Sequence, residues 1–225
     1  MRAHEAGALH GELGSHGPEW LRTPEDVNAL VPQLWPRGVT RGANGELVVG
    51  DLGVREIAET FGTPTYVLDE DDLRARCREF RSAFANEDVY YAGKAFLCRA
   101  VVRIIAEEGL SLDVCTGGEL AVALSAGMDP ARIALHGNNK SLDELRRAVD
   151  AGVGRIVVDS FQEIDRLTAL ARERGVRPAV LVRVTVGVEA HTHEYIATAH
   201  EDQKFGFSLA GGAATAAAAR ILEEG

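Results

Sequence analysis

The chain has 225 residues, 46% hydrophobic and 26% charged, the balance of a soluble globular protein. Its net charge of -10 argues against nucleic acid or an anionic membrane surface as the main partner, and no apolar run approaches the roughly 20 residues that span a bilayer. There is no basic-then-apolar secretory segment, and three cysteines without a CxxC pair (Cys77, Cys98 and Cys115) suit free thiols in a reducing cytoplasm better than disulfides or zinc.

Residues 1–32 are rich in Gly, His, Glu and Pro with weak periodicity, and part of this tail is expected to be disordered. A turn at Gly42-Ala43-Asn44-Gly45 leads into a short strand, Glu46-Leu47-Val48-Val49, which ends at Gly50. Val54, Ile57, Ala58 and Phe61 recur at helical spacing, and Gly62 with Pro64 stops that helix. Thr65-Tyr66-Val67-Leu68 reads as a strand. Asp69 is placed to cap the next helix, whose inner face is Leu73, Cys77, Phe80 and Phe84.

From residue 89 the pattern becomes regular. Strands are predicted at 89–95, 110–115, 132–136, 155–159 and 179–186. Between them lie a helix ending at Gly109 and helices at 117–126, 142–150 and 161–174, and an alanine-rich helix at about 209–223 closes the chain. Three joints, Thr116-Gly117-Gly118-Glu119, Ser141-Leu142-Asp143-Glu144 and Ser160-Phe161-Gln162-Glu163, carry the S/T-x-x-E pattern of a capping box. Strict strand–helix alternation implies parallel pairing. It leaves a doubly wound sheet or a (β/α)₈ barrel, and the lack of GxGxxG after the first strand weakens the dinucleotide-binding option.

A barrel builds its site at the carboxyl ends of its strands. Lys94, Asp113, His136 and Arg183 all fall at or near such ends. Lys94 closes the apolar run Val89-Tyr90-Tyr91-Ala92-Gly93-Lys94-Ala95-Phe96. Burial there would lower its pKa and favour a nucleophilic amine able to form a Schiff base, whereas the plainer reading is a lysine that reaches solvent. Asp113 could equally bind loop amides, His136 could hold its loop, and Glu119 could simply complete its cap. Arg183, within Val180-Leu181-Val182-Arg183-Val184, must be paired or face a cavity holding an anion. His191, His193 and His200 match no strong zinc spacing, so no metal is expected; Lys204 with Phe205-Gly206 suits a hinge or a positioned charge.

Taken together, Tyr90–Phe96, Leu112-Asp113-Val114-Cys115-Thr116-Gly117-Gly118-Glu119-Leu120, Leu135-His136-Gly137-Asn138-Asn139-Lys140 and Asp202-Gln203-Lys204-Phe205-Gly206 resemble the diaminopimelate decarboxylase family. The run Val186–Glu194 is similar to its actinobacterial branch. The resemblance spans roughly residues 33–210. It implies a fold-type III, alanine-racemase-like (β/α)₈ barrel with pyridoxal 5'-phosphate. Residues 1–50 would be a tail and strand that join a C-terminal β-domain, and 51–225 a partial cofactor-binding barrel. It implies that Lys94 forms the Schiff base with the cofactor, that Asp113 lies near both, and that His136 and Arg183 lie close to the cofactor. The implied reaction converts meso-2,6-diaminopimelate to L-lysine and CO₂ in a cytoplasmic homodimer, the last step of lysine biosynthesis.

Other readings stay open. Ornithine- and arginine-type decarboxylases share the lysine, the Asp and Glu of the second joint and the Lys-Phe-Gly triplet. An amino-acid racemase or a non-catalytic pyridoxal-phosphate-binding protein would also need the lysine. The family's ring-stacking histidine, phosphate loop, pyridine-nitrogen glutamate and C-terminal β-domain have no counterpart here. An N-terminal fragment, inactive alone, is therefore expected.

Overall fold

The computed structural model describes residues 26, 28–32, 34–186 and 205–224. Most of the expected tail and the loop bearing His191, His193, His200 and Lys204 lie outside the described residues. The chain divides into two compact units, Met1–Asp72 and Leu73–Gly225.

In the first unit, β1 (Val39–Arg41), β2 (Leu47–Val49) and β3 (Leu52–Gly53) form an antiparallel sheet. The turn predicted at 42–45 is present: the Gly42 N–H donates to the Glu46 carbonyl at 2.8 Å. Helix α1 (Val54–Phe61) buries Ile57 and stops at Gly62, whose φ is +79°. The strand expected at Thr65–Leu68 does not form. A strand needs a partner ladder, and among the described residues none pairs with this run; Tyr66 stands fully exposed. Helix α2 (Glu70–Ala83) begins at the end of this unit, with Asp69 accepting the Asp72 N–H at 3.1 Å in the predicted cap.

In the second unit the rest of α2 packs Leu73 and Cys77 against Val101, Ile105 and Leu110. Phe80 and Phe84, expected on the same inner face, are instead more than half exposed. Five strands, β4 (Tyr90–Ala92), β5 (Ser111–Val114), β6 (Ile133–Leu135), β7 (Arg155–Val158) and β8 (Val180–Val182), form one sheet in sequence order, parallel throughout. Helices α3 (Arg99–Glu107), α4 (Gly117–Ser125), α5 (Leu142–Ala151) and α6 (Phe161–Arg174) connect them. The α/β alternation read from residue 89 is the alternation observed.

Side chains alternate across the sheet. Leu112 and Val114, Ile133 and Leu135, and Ile156 and Val158 are buried in one core with Leu120 of α4, Leu145 of α5 and Leu167 of α6. Each such side chain contributes about 1.5–3 kcal/mol on burial. The intervening residues, among them Asp113, Ala134, Val157 and Leu181, pair in register on the opposite face. On that face Arg155 of β7 donates to the Tyr90 hydroxyl of β4 at 2.6 Å and to Asp88 at 3.0 Å. A flat sheet would hold β4 and β7 about 14 Å apart. The contact bridges this face of the sheet and suits a sheet curled toward it, as in a closing barrel.

The single strand expected at 179–186 is broken at Arg183. The Arg183 N–H donates to Val158 of β7, while its carbonyl accepts from Phe207. The run thus changes partner at this residue: β8 pairs with β7, and β9 (Val184–Thr185) pairs parallel with β10 (Phe207–Ser208). A two-residue ladder is too short to show periodicity, and β10 was not predicted. Helix α7 (Ala213–Glu224) follows it.

Candidate active site at the carboxyl ends of the parallel strands

The sheet carries its polar residues along one edge. Lys94 lies two residues past β4, Asp113 is the third residue of β5, and His136, Asp159 and Arg183 each directly follow β6, β7 and β8. The ladder continues past the strands: Gly93 N–H donates to the Asp113 carbonyl at 2.8 Å and His136 N–H to that of Val114 at 2.7 Å. Two glycines permit this close approach. A Cβ on Gly93 would fall 2.9 Å from the Asp113 carbonyl oxygen, and one on Gly137 (φ +113°) 3.1 Å from that of Cys115.

Lys94 does not sit in an apolar strand. Strand β4 ends at Ala92, and Lys94 occupies the turn beyond it with its side chain exposed. The expected desolvation of its ammonium is therefore not found, because the turn lifts it clear of the sheet. Asp113 and His136 do meet, Oδ1 to Nδ1 at 3.4 Å, both partly buried. Beside them is Cys115, which sequence reading took only as a free thiol. Burial pushes its thiol pKa up, the Asp113 and Glu119 carboxylates push it further, and the Lys94 and Lys140 ammonium groups oppose them. That balance places Lys94 in the same electrostatic neighbourhood as Asp113.

Arg183 does not join this group. Its guanidinium pairs with Asp159 Oδ1 at 3.5 Å and stacks 4.4 Å above the Phe205 ring. Asp159 is buried; its Oδ2 accepts the Gly206 N–H at 3.0 Å, while Oδ1 accepts no hydrogen bond and lies against the guanidinium. Arg183 is thus paired with a carboxylate, one of the two options its apolar strand demanded.

The three joints predicted as capping boxes differ. Only Ser141–Glu144 is reciprocal, with Glu144 Oε2 accepting the Ser141 N–H at 2.8 Å. In the other two the glutamate reaches one residue further back, Glu119 to the Cys115 N–H at 2.6 Å and Glu163 to the Asp159 N–H at 2.9 Å. The capping hydroxyls still serve, Thr116 and Ser160 accepting from the Glu119 and Glu163 N–H groups. Glu144 and Glu163 also cross to the preceding joint. Glu144 accepts the Gly117 N–H at 2.7 Å, and Glu163 binds Lys140. Lys140, Asp159 and these cross-links escaped sequence reading. The available signal was a lysine four residues past His136 and an aspartate directly before the Ser160 cap.

A cavity of about 340 Å³ lies elsewhere, in the helix layer between α6, β8 and α7, and shares no residue with the predicted site. Among the described residues no cluster of His, Cys, Asp or Glu is placed to hold a metal, and no helix is long and apolar enough to cross a membrane.

The residues fit pyridoxal phosphate. The donor set is an accessible primary amine for its aldehyde with a carboxylate–imidazole pair beside it, on loops that glycines bring flush together. Residues 70–224 match the family model described as pyridoxal-dependent decarboxylase, pyridoxal binding domain. The chain is 55% identical to a diaminopimelate decarboxylase of Mycobacterium leprae over 225 residues, 99% of this chain and 48% of that protein. It is 60% identical to one of Mycobacterium tuberculosis over 194 residues, 86% of this chain and 43% of that protein. It therefore spans about half the length of the curated relatives it matches. A solved diaminopimelate decarboxylase of M. jannaschii, in complex with L-lysine, superposes with a TM-score of 0.74 at 28% identity, covering 84% of this chain and 45% of that one. The curled parallel sheet is accordingly part of a (β/α)₈ barrel.

Proposed function

The chain belongs to the pyridoxal-dependent decarboxylase family, and from that membership we propose that the protein carrying it removes the carboxylate at the D-configured centre of meso-2,6-diaminopimelate, releasing CO₂ and leaving L-lysine. The single observation that carries the reading is the exposed Lys94 amine just past β4, with Asp113 of β5 and His136, directly after β6, paired at 3.4 Å at the same edge of the sheet.

When bound, pyridoxal phosphate supplies an electron sink for the pair left by a departing carboxylate. Lys94 would hold the cofactor through its amine, which the turn leaves accessible. Asp113 and His136 supply a carboxylate and an imidazole at the same edge, able to orient the cofactor and hold a proton. Cys115 stays protonated, because burial and two carboxylates raise its pKa. A neutral thiol is a poor nucleophile, so it does not compete with Lys94 for the aldehyde. Arg183 would supply a guanidinium at the same strand-end edge, held apart from Lys94, Asp113 and His136 by Asp159 and Phe205. At full length the same reading entails a homodimer in the cytoplasm.

The test uses the protein at its natural length. Wild type should show the visible absorbance of bound pyridoxal phosphate and release CO₂ and lysine from meso-diaminopimelate. Borohydride reduction should leave a pyridoxyl group on Lys94, and Lys94→Ala should lose both the absorbance and the turnover. Turnover of ornithine or arginine in place of diaminopimelate would refute the substrate assignment. Cofactor binding that survives Lys94→Ala unchanged would refute the role of Lys94.

A further inference from the structure

Lys140 is the most deeply buried charged side chain of the strand-end edge, 1% exposed. Its ammonium donates to two carbonyls and pairs with one carboxylate. They are the Gly137 carbonyl at 2.6 Å, the Val157 carbonyl at 2.7 Å and Glu163 Oε1 at 2.9 Å. These partners come from the loop after β6, from β7 and from α6. Glu163 is itself fully engaged, since its Oε1 also takes the Lys140 N–H at 3.3 Å and its Oε2 the Asp159 N–H.

Net stability does not account for such a pair. A buried ion pair gives little advantage over a well-packed apolar pair of the same volume, because desolvation offsets the attraction. What it does impose is geometry. Gly137 immediately follows His136, and its φ of +113° is a turn that only glycine adopts readily. Lys140 clamps the carbonyl of that turn to the end of β7. His136 is thereby held where its Nδ1 meets Asp113. Glu144, on the other side of the same loop, ties Ser141 back to Gly117, so the loop is fixed at both ends.

We propose that Lys140, with Glu163 as its buried counter-charge, is a positioning residue that sets His136 against Asp113 for the decarboxylation. The inference rests on the function proposed above but concerns a residue that need not touch cofactor or substrate. A purely structural lysine would be replaceable once its charge partner is also neutralised. A positioning lysine would not.

The experiment uses the protein at natural length, with pyridoxal phosphate saturating, and compares Lys140→Met with the double variant Lys140→Met/Glu163→Gln. Thermal unfolding, kcat and KM are measured, together with the ¹H–¹³C signals of the His136 ring. Lys140→Met alone should lower Tm, because it strands the Glu163 charge. The double variant should regain most of that loss, yet show displaced His136 ring signals and a kcat reduced at least about tenfold with KM within about twofold. Lys140→Arg gives a second arm should the double variant fail to fold. It keeps the charge beside Glu163, but its planar fork does not reproduce one compact ammonium set between two carbonyls and a carboxylate. It too should move His136 and lower kcat. Unmoved His136 signals with wild-type kcat, in either variant that folds, would overturn the proposal. If wild type releases no CO₂ from meso-diaminopimelate, the functional reading fails, and the His136 signals still decide this one.

Discussion

Gly137→Ala probes the joint between backbone geometry and the site. The position has φ +113°, outside the regions an L-residue occupies without strain, which costs about 1–3 kcal/mol. The added Cβ would stand 3.1 Å from the Cys115 carbonyl oxygen, a backbone atom in the ladder that cannot swing aside. The Lys140 bond to the Gly137 carbonyl resists the compensating rotation. Against this, alanine restricts the unfolded chain and returns about 0.4–1 kcal/mol. The backbone and unfolded-chain effects together give a loss of up to about 2.6 kcal/mol, to which the crowding of the Cys115 carbonyl adds. Gly152→Ala is the matched control. That glycine also has positive φ, +71°, at the left-handed cap of α5, but nothing lies within 4 Å of its would-be Cβ. It should cost only the left-handed backbone penalty, about 1–2 kcal/mol before the same offset. Urea unfolding of the natural-length protein at constant m measures both. Only Gly137→Ala should also displace the His136 ring signals and reduce turnover. Equal costs in the two variants, with His136 in place in both, would show that the Gly137 turn does not set the histidine.

Two further outcomes are expected. The Ser141 N–H, followed by that of Gly117, holds the Glu144 carboxyl below its ordinary value of 4.5. Its stabilisation is therefore complete above that value and is lost as pH falls through the lower, folded pKa. Glu144→Gln should cost about 1–2 kcal/mol at pH 7 by chemical denaturation, and the gap to wild type should close in acid; a gap independent of pH would count against the assignment. Cys115, its thiol pKa raised chiefly by burial and then by Asp113 and Glu119, should alkylate with iodoacetamide more slowly than free glutathione at pH 8. Asp113→Asn should speed it, as followed by mass spectrometry of the Cys115 peptide.

Much of the site was legible because it is local. The turn after β4 places Lys94 two residues beyond the strand, and the caps at Thr116, Ser141 and Ser160 mark where helices begin. Counting back from each cap locates Asp113, His136 and the end of β7. The expected burial of Lys94 failed for an equally local reason: β4 stops at Ala92, and a run of apolar residues does not say where its ladder ends. Phe80 and Phe84 have the spacing of an inner helix face, yet spacing does not guarantee a surface to cover them.

The order of strands and helices from residue 89, their parallel pairing and the candidate residues at the strand ends are readable along the chain. These follow from period, caps and glycine stops, which act over a few residues. The partners are set by three-dimensional packing. Lys140 finds Glu163 23 residues on, Gly206 finds Asp159 47 residues back, and Arg155 finds Tyr90 65 residues back. The same holds at Arg183, where one apolar run passes from the β7 ladder to the β10 ladder. Such contacts depend on how the sheet curls and which helix N-terminus lies over which loop, and no pattern along the chain encodes either directly.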